Sequence, residues 1–412
     1  MNYSAANKGK LHRADRLLRN ARPLIATMFL PVSVLLARST ALAADPVLLG
    51  EWKPDGFGNA SNLDISGKLV ALANFSGLLL IDVSDPARPM RMAQIPTGKP
   101  VLDVRVVGHL AYTASTTAGL QIVDISDPAK PTLSGNFTPQ GAAVSIHLAG
   151  HYAYMAADYA GLQIVDVSDP ENPLGVGGLI TAFANDVDVA GNVAYLADRS
   201  EGVIIIDVSD PATPTEMGRF KTVGQAMGLQ LIWPLLYVAE GASGLSILDV
   251  TDATHPVSLG GFNTTGNANA VAVVGNVAFV ADGTSGVQVI DVSDPRNPVR
   301  TGGKKLNTEA IGIRVEGQYA YVGKGPGGLQ VLDVSQAVAP SLGITRTAQG
   351  ADLLLFGATG RAYALESTTV LAPAASWSVA TNVVLTTNQL SLPNFSTSTV
   401  ENRFFRVRLV AQ

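Results

Sequence analysis

The chain is predicted to be all-β, a seven-bladed propeller of four-stranded blades followed by a small β-sandwich-like module. Three observations carry that reading. The phrase Gly-Leu-Gln-Ile-Val-Asp-Val-Ser-Asp-Pro at 161–170 returns in varied spelling, with its first aspartate at Asp82, Asp124, Asp166, Asp207, Asp249, Asp291 and Asp333. The spacing is 42 residues at every step but one, which is 41. Within a unit, strand-period alternation runs between turn-forming pairs, and the chain combines 41 glycines and 23 prolines with 47% hydrophobic residues. That composition fits a turn-rich, well-packed β protein and excludes disorder.

The first 43 residues read as an export signal. Lys8, Lys10, Arg13, Arg16, Arg19 and Arg22 precede an apolar run from Leu24 to Ala37, and Ala41-Leu42-Ala43 offers a small-residue cleavage site. The run, about 14 residues interrupted by Pro31, falls short of the ~20 needed to span a bilayer. No later segment suggests a transmembrane helix. Removal of 1–43 leaves 21 basic and 32 acidic residues, a net charge of −11. So acidic a protein would be repelled by phosphate backbones, and nucleic acid is not an expected partner. The absence of cysteine excludes disulfides, thiol nucleophiles and thiolate metal sites.

Residues 44–343 carry the repeat. Repeats of about 40–50 residues indicate solenoids or propellers, and the fourth unit decides between them. Asp186-Val187-Asp188-Val189 alternates polar and apolar, Gly191-Asn192 turns, and Val193-Ala194-Tyr195-Leu196 reads as a second strand. Val203 to Val208 is a β-branched run of the kind buried on both faces. Asp210-Pro211-Ala212-Thr213-Pro214 is a proline-set turn into a fourth strand ending at Phe220. Four strands per unit leave no room for a helix, which selects the propeller. Pro46 to Trp52 matches the fourth strand of other units and arrives before any complete repeat. It is expected to complete the last blade and hide an edge, with Pro340-Ser341-Leu342-Gly343 as competitor.

The phrase at 161–170 and its six relatives resemble the LVIVD-repeat family of bacterial and archaeal secreted or cell-surface propellers. The resemblance covers about residues 46–343. It implies a fold and an extracellular setting (periplasm, cell surface or medium), and it supplies no catalytic residues. From Ile344 the period stops. Tyr363 to Thr368, Trp377 and Arg403 to Val407 read as a β-rich accessory module over 344–412, similar to those ending secreted multidomain proteins.

Each candidate site carries a structural reading beside a functional one. Asp-Val-Ser-Asp-Pro supplies two carboxylates per blade, but an aspartate two residues before a backbone amide makes an Asx turn. Asp82 and its equivalents are therefore read as fold residues. His109, His151 and His255 fall in turns, and His147 has no second histidine spaced to share a metal. Gly323-Lys324-Gly325-Pro326-Gly327-Gly328 lies between strands, unlike a phosphate-binding loop. Function is sought where the repeat varies. The turn between second and third strands supplies Asn74, Ser115, Asp158, Asp198, Glu240, Asp282 and Lys324. The start of the innermost strand supplies Asn62, Asp103, Ser145, Asp186, Gly228, Ala270 and Gly312. Asn62, Asp103, Asp158, Asp186, Asp198, Glu240 and Asp282 are the candidate ligand-binding rim, an acidic surface suited to a cation, an amine or sugar hydroxyls. A second ring, Asp64, Arg105, His147, Asp188, Gln230, Ala272 and Arg314, mixes signs and is expected to form compensating pairs.

The first functional reading is a non-enzymatic scaffold that binds a protein, glycan or small polar ligand at one rim. The alternative is a hydrolase or lyase using Asp103 or Asp186 with a bound cation. No catalytic set and no cofactor are assigned, and calcium is the cation left open for the acidic residues.

Overall fold

A computed structural model describes residues 45–54 and 58–338, and beyond them the backbone of six strands between 341 and 409. The leader at 1–43, Trp377 and Arg403 lie outside the described residues. Seven four-stranded antiparallel sheets form the propeller, the first six in sequential order from the innermost strand outward. Blade 1 spans 60–95, blade 2 103–137, blade 3 145–179, blade 4 184–220, blade 5 228–262 and blade 6 270–304. Blade 7 takes its inner three strands from 312–333 and its outer strand from Val47–Trp52. That strand pairs Val47 with Asp333 and Trp52 with Leu329, so the N-terminal segment closes the ring. Its competitor Ser341–Thr347 pairs instead with Gly350–Phe356.

Apolar alternation builds the core as seven separate wedges, one in each seam between blades. In the third strand of blade 4, Ile204 and Ile206 face blade 3, while Val203 and Ile205 face blade 5. Both faces are thus buried, as the uninterrupted β-branched run requires. Each fully buried Val or Ile contributes roughly 1.5–3 kcal/mol relative to exposure. A tyrosine or phenylalanine in the second strand recurs in six wedges as Tyr112, Tyr154, Tyr195, Tyr237, Phe279 and Tyr321, all buried.

The repeated aspartates hold the lower turns. In all seven blades the first aspartate accepts the amide two residues on, from Ser84 to Asp82 at 2.8 Å through Ser335 to Asp333 at 2.8 Å. In the first six blades the second aspartate does the same, as Ala87 to Asp85 at 3.0 Å, whereas blade 7 has Gln336 there. Such Asx turns satisfy amides that leave the sheet ladder. The turn then packs on the neighbouring blade: a Cβ on Gly177 would lie 2.3 Å from the Pro211 carbonyl oxygen. The outer-strand glycine is required by that approach.

Past the propeller, Gly350–Phe356 pairs with Ser341–Thr347 and Gln389–Leu392. Ala362–Thr368 pairs with Ser378–Val384 and Phe404–Leu409, giving two three-stranded sheets. Among the described residues no helix is long and apolar enough to cross a membrane.

Candidate functional site: the channel mouth

The seven innermost strands line a central channel. Its upper end is framed by the turns between second and third strands and by the links that enter each next blade. Isolated bridges tie turn to link, as at Thr116 with Ala143 and Gly241 with Ala268.

Most of the predicted acidic rim is closed to solvent. Asp198, Glu240 and Asp282 are buried, and each turns inward to clamp its own blade's link. Asp198 accepts the amides of Phe183 at 2.8 Å, Ser200 at 2.8 Å and Glu201 at 2.9 Å. Burial alone would raise its carboxyl; those amides outweigh burial and hold it below the ordinary range. Glu240 accepts the amides of Val223 and Gly224, each at 3.2 Å. Asp282 accepts the Thr264 hydroxyl at 2.5 Å, and burial keeps its carboxyl above the usual range. The exposed acidic rim is therefore corrected to a set of internal clamps, because these links carry free amides that need acceptors. Asp158 is also reassigned. The residue equivalent to Ser115 and Glu240 is Ala157, whose amide bonds the Gly161 carbonyl as theirs bond Gly119 and Gly244. Asp158 falls one place later, half exposed and at a φ of 51°, where blades 5 and 6 have Gly241 and Gly283.

The inner-strand acids are clasps between blades. Asp64 accepts the Val106 amide at 2.8 Å, Asp103 that of Ile146 at 3.1 Å, and Asp186 that of Leu229 at 2.9 Å. Asp188 accepts the Leu231 amide at 2.8 Å, and Gln230 Oε1 that of Val273 at 2.6 Å. Each reaches one repeat forward, so a side chain on one strand bonds the backbone of the next. The mixed-sign ring does pair. Arg105 Nη1 lies 2.8 Å from Asp103, His147 Nδ1 3.1 Å from Asp188, and Arg314 Nε 4.0 Å from Asp64. Burial would raise Asp188, but the contact with His147 and two backbone amides bring it below the ordinary range.

Asp103 and Asp186 meet on one atom, the Ser145 hydroxyl, at 2.8 and 2.5 Å. Asp103 is fully buried, whereas Asp186 forms part of the channel wall. Among the described residues no group of three or more His, Asp or Glu is placed to hold a metal.

Above these clasps the channel widens to a cleft of about 250 Å³. Its wall includes Asn62, Asn185, Asn269, Arg199 and Glu309, with Arg105 and Arg314 deeper. Asn185 and Asn269 also donate to the carbonyls of Met227 and Ala310 in the next links. The Asn185 Oδ1 atom is buried without a hydrogen-bond partner. Large apolar side chains stand exposed in the surrounding turns and links: Phe75, Tyr159 (63% exposed), Phe183 (49%) and Val223. A wider groove of about 970 Å³ lies between blades 6 and 7, beside Arg300, Lys304 and Lys305. Of the predicted rim, only Asn62 and Asp186 line the mouth. Asn185 and Asn269 escaped sequence reasoning although two repeats separate them, because the candidate ring was drawn one residue inside them.

A family model described as the LVIVD repeat matches seven consecutive stretches: 57–97, 99–138, 140–181, 183–222, 224–264, 265–302 and 308–345. Among solved structures, the chain is similar to one in a crystal structure of a mitotic checkpoint complex. The identity is 12% and the TM-score 0.59, covering 70% of this chain and 92% of that one. It is likewise similar to the RRP9 WD40 repeats at 11% identity and a TM-score of 0.59, covering 71% and 98%. At such identities the likeness concerns the fold alone. No curated protein matches the chain.

Proposed function

The chain belongs to the LVIVD-repeat family, and on that premise we propose that it is an exported, non-enzymatic scaffold binding a polar ligand at the channel mouth. Glycans and polar segments of other proteins are the ligand classes considered. The observation that carries the reading is the cleft itself: amide and guanidinium side chains line a concavity, with aromatic rings exposed on the same face. Amides match hydroxyl groups, and aromatic faces provide apolar area beside them. Export rests on the leader at 1–43, and a chain at −11 after its removal argues against nucleic acid.

The hydrolase or lyase reading has one supporting observation, the meeting of Asp103 and Asp186 on Ser145. Against it, Asp103 is sealed from any substrate. Thermal unfolding of residues 44–412 with soluble oligosaccharides, calcium or EDTA separates the two. A ligand that binds only the folded state raises Tm. A rise with an oligosaccharide that is lost in Arg199→Ala/Asn269→Ala supports the scaffold. A rise with calcium alone, lost in Asp186→Asn, favours the cation-dependent enzyme.

A further inference from the structure

The Ser145 hydroxyl has two acceptors and one proton. It lies 2.5 Å from Asp186 Oδ1 and 2.8 Å from Asp103 Oδ2, both hydrogen-bond distances. A hydroxyl donates once, so the second contact requires a donor on the other side, which can only be a protonated carboxyl. Asp103 is fixed as the anion. Its Oδ1 accepts Arg105 Nη1 at 2.8 Å, and its Oδ2 accepts the Ile146 amide. Asp186 has no guanidinium in contact; it accepts the amides of Val187 at 2.9 Å and Leu229 at 2.9 Å.

The charges around it agree. Blade 2 presents Asp103 and Arg105, blade 1 Asp64 and blade 7 Arg314; blade 5 offers the Leu229 amide and neutral Gln230. On blades 3 and 4, His147 and Asp188 are occupied with each other. Among the described residues, Asp64 and Asp103 balance Arg105 and Arg314. Arg199 and Glu309, on the same cleft wall, offset each other in the same way, so an ionised Asp186 would add a negative charge beside that of Asp103.

We infer that Asp103, Ser145 and Asp186 form a binding site for one proton, which resides on Asp186 at neutral pH and runs Asp186 to Ser145 to Asp103 as two successive hydrogen bonds. The site joins blades 2, 3 and 4, and it stands whatever the mouth binds. Burial and then the charge of Asp103 push the Asp186 carboxyl upward, in keeping with that assignment. A carboxyl raised in the folded state gives stability that is full below the ordinary carboxylate range and is lost as pH rises through the folded value. The proton also sets the sign of the mouth: Asp186 is neutral at its wall when protonated and negative when not.

Infrared difference spectroscopy of the purified full chain at pH 7 tests this. Asp186→Asn keeps a donor toward Ser145 and an acceptor toward Leu229, and gives up only the acceptor that Oδ1 offers the Val187 amide. The wild-type minus variant spectrum is expected to show the loss of one protonated-carboxyl band, which Asp282→Asn leaves in place. The Asp186→Asn protein is expected to show a flatter fall in Tm from pH 5 to pH 8 than wild type. A spectrum in which Asp186→Asn removes no such band overturns the site. So does an Asp186→Asn protein whose Tm falls from pH 5 to pH 8 as steeply as that of wild type.

Discussion

Lys324 is 0% exposed, and its ammonium reaches Glu51 Oε2 at 2.9 Å and Asn307 Oδ1 at 3.3 Å. Glu51 sits on the closing strand and Lys324 in the turn of blade 7, so this ion pair fastens the ring shut. Glu51→Gln removes the counter-charge while keeping the side chain's shape. At 2.9 Å two unit charges attract by about 6 kcal/mol at an effective dielectric of 20 and about 1.4 kcal/mol in bulk water. The Glu51 side chain is 31% exposed and also meets Lys53 at 2.8 Å, which screens the pair from the solvent side. A loss in the lower half of that range, about 2–3 kcal/mol, is expected; breaking fully buried pairs costs roughly 3–5 kcal/mol. Urea unfolding followed by tryptophan fluorescence, with Trp52 on the closing strand itself, gives the value from the midpoint at unchanged slope. Lys324→Met should recover most of the loss in the Glu51→Gln background, because it removes the stranded ammonium. Acid adds a second reading. The hydrogen bonds from Lys53 and Lys324 lower Glu51 from 4.5 to about 2. Its stabilisation is therefore full above the ordinary carboxylate range and lost as pH falls through about 2, and Glu51→Gln should flatten that limb. A Glu51→Gln protein within 0.5 kcal/mol of wild type, a threshold set by the scatter typical of surface substitutions, would refute the latch.

Two other perturbations follow from the seams. Asp188→Ala strands the Leu231 amide and removes the partner of His147, and should cost about 1–3 kcal/mol by denaturant titration. An Asp188→Ala protein as stable as wild type would mean the clasp is solvent-replaced. Gly177→Ala drives a Cβ to 2.3 Å from the Pro211 carbonyl oxygen and should cost about 1–3 kcal/mol. Gly150→Ala meets open space and bears only the strain of a φ near 60°, so a calorimetric comparison should show the smaller loss there, about 1 kcal/mol.

The fold was legible because its rules are periodic. The seven returns of Asp82 and its equivalents fixed the blade number, and the doubly apolar run Val203 to Val208 declared a strand between two neighbours. Pro46 to Trp52 marked the closing strand by matching its counterparts. The site was less legible, because chemistry there depends on which way a side chain turns. Asp198, Glu240 and Asp282 look like a rim in sequence, yet backbone amides in the links draw them inward. Asp158 stands 43 residues after Ser115, one more than the repeat of 42, so it resembles the next rim acid while Ala157 holds the equivalent place. Ser145 gave no signal as a bridge, since its two carboxylates come from positions 42 residues before it and 41 after it.

The central claim is that ligand meets the channel mouth, and hydrogen–deuterium exchange tests it most directly. The protein would be compared with and without whichever oligosaccharide or calcium condition raises Tm most. The account predicts slowed exchange in the links and turns around residues 183–185, 199–202, 267–269 and 309–311, with the outer strands unchanged. Protection confined to the lower turns near 107–110 and 149–152, or no protection at the mouth under any condition, would contradict it.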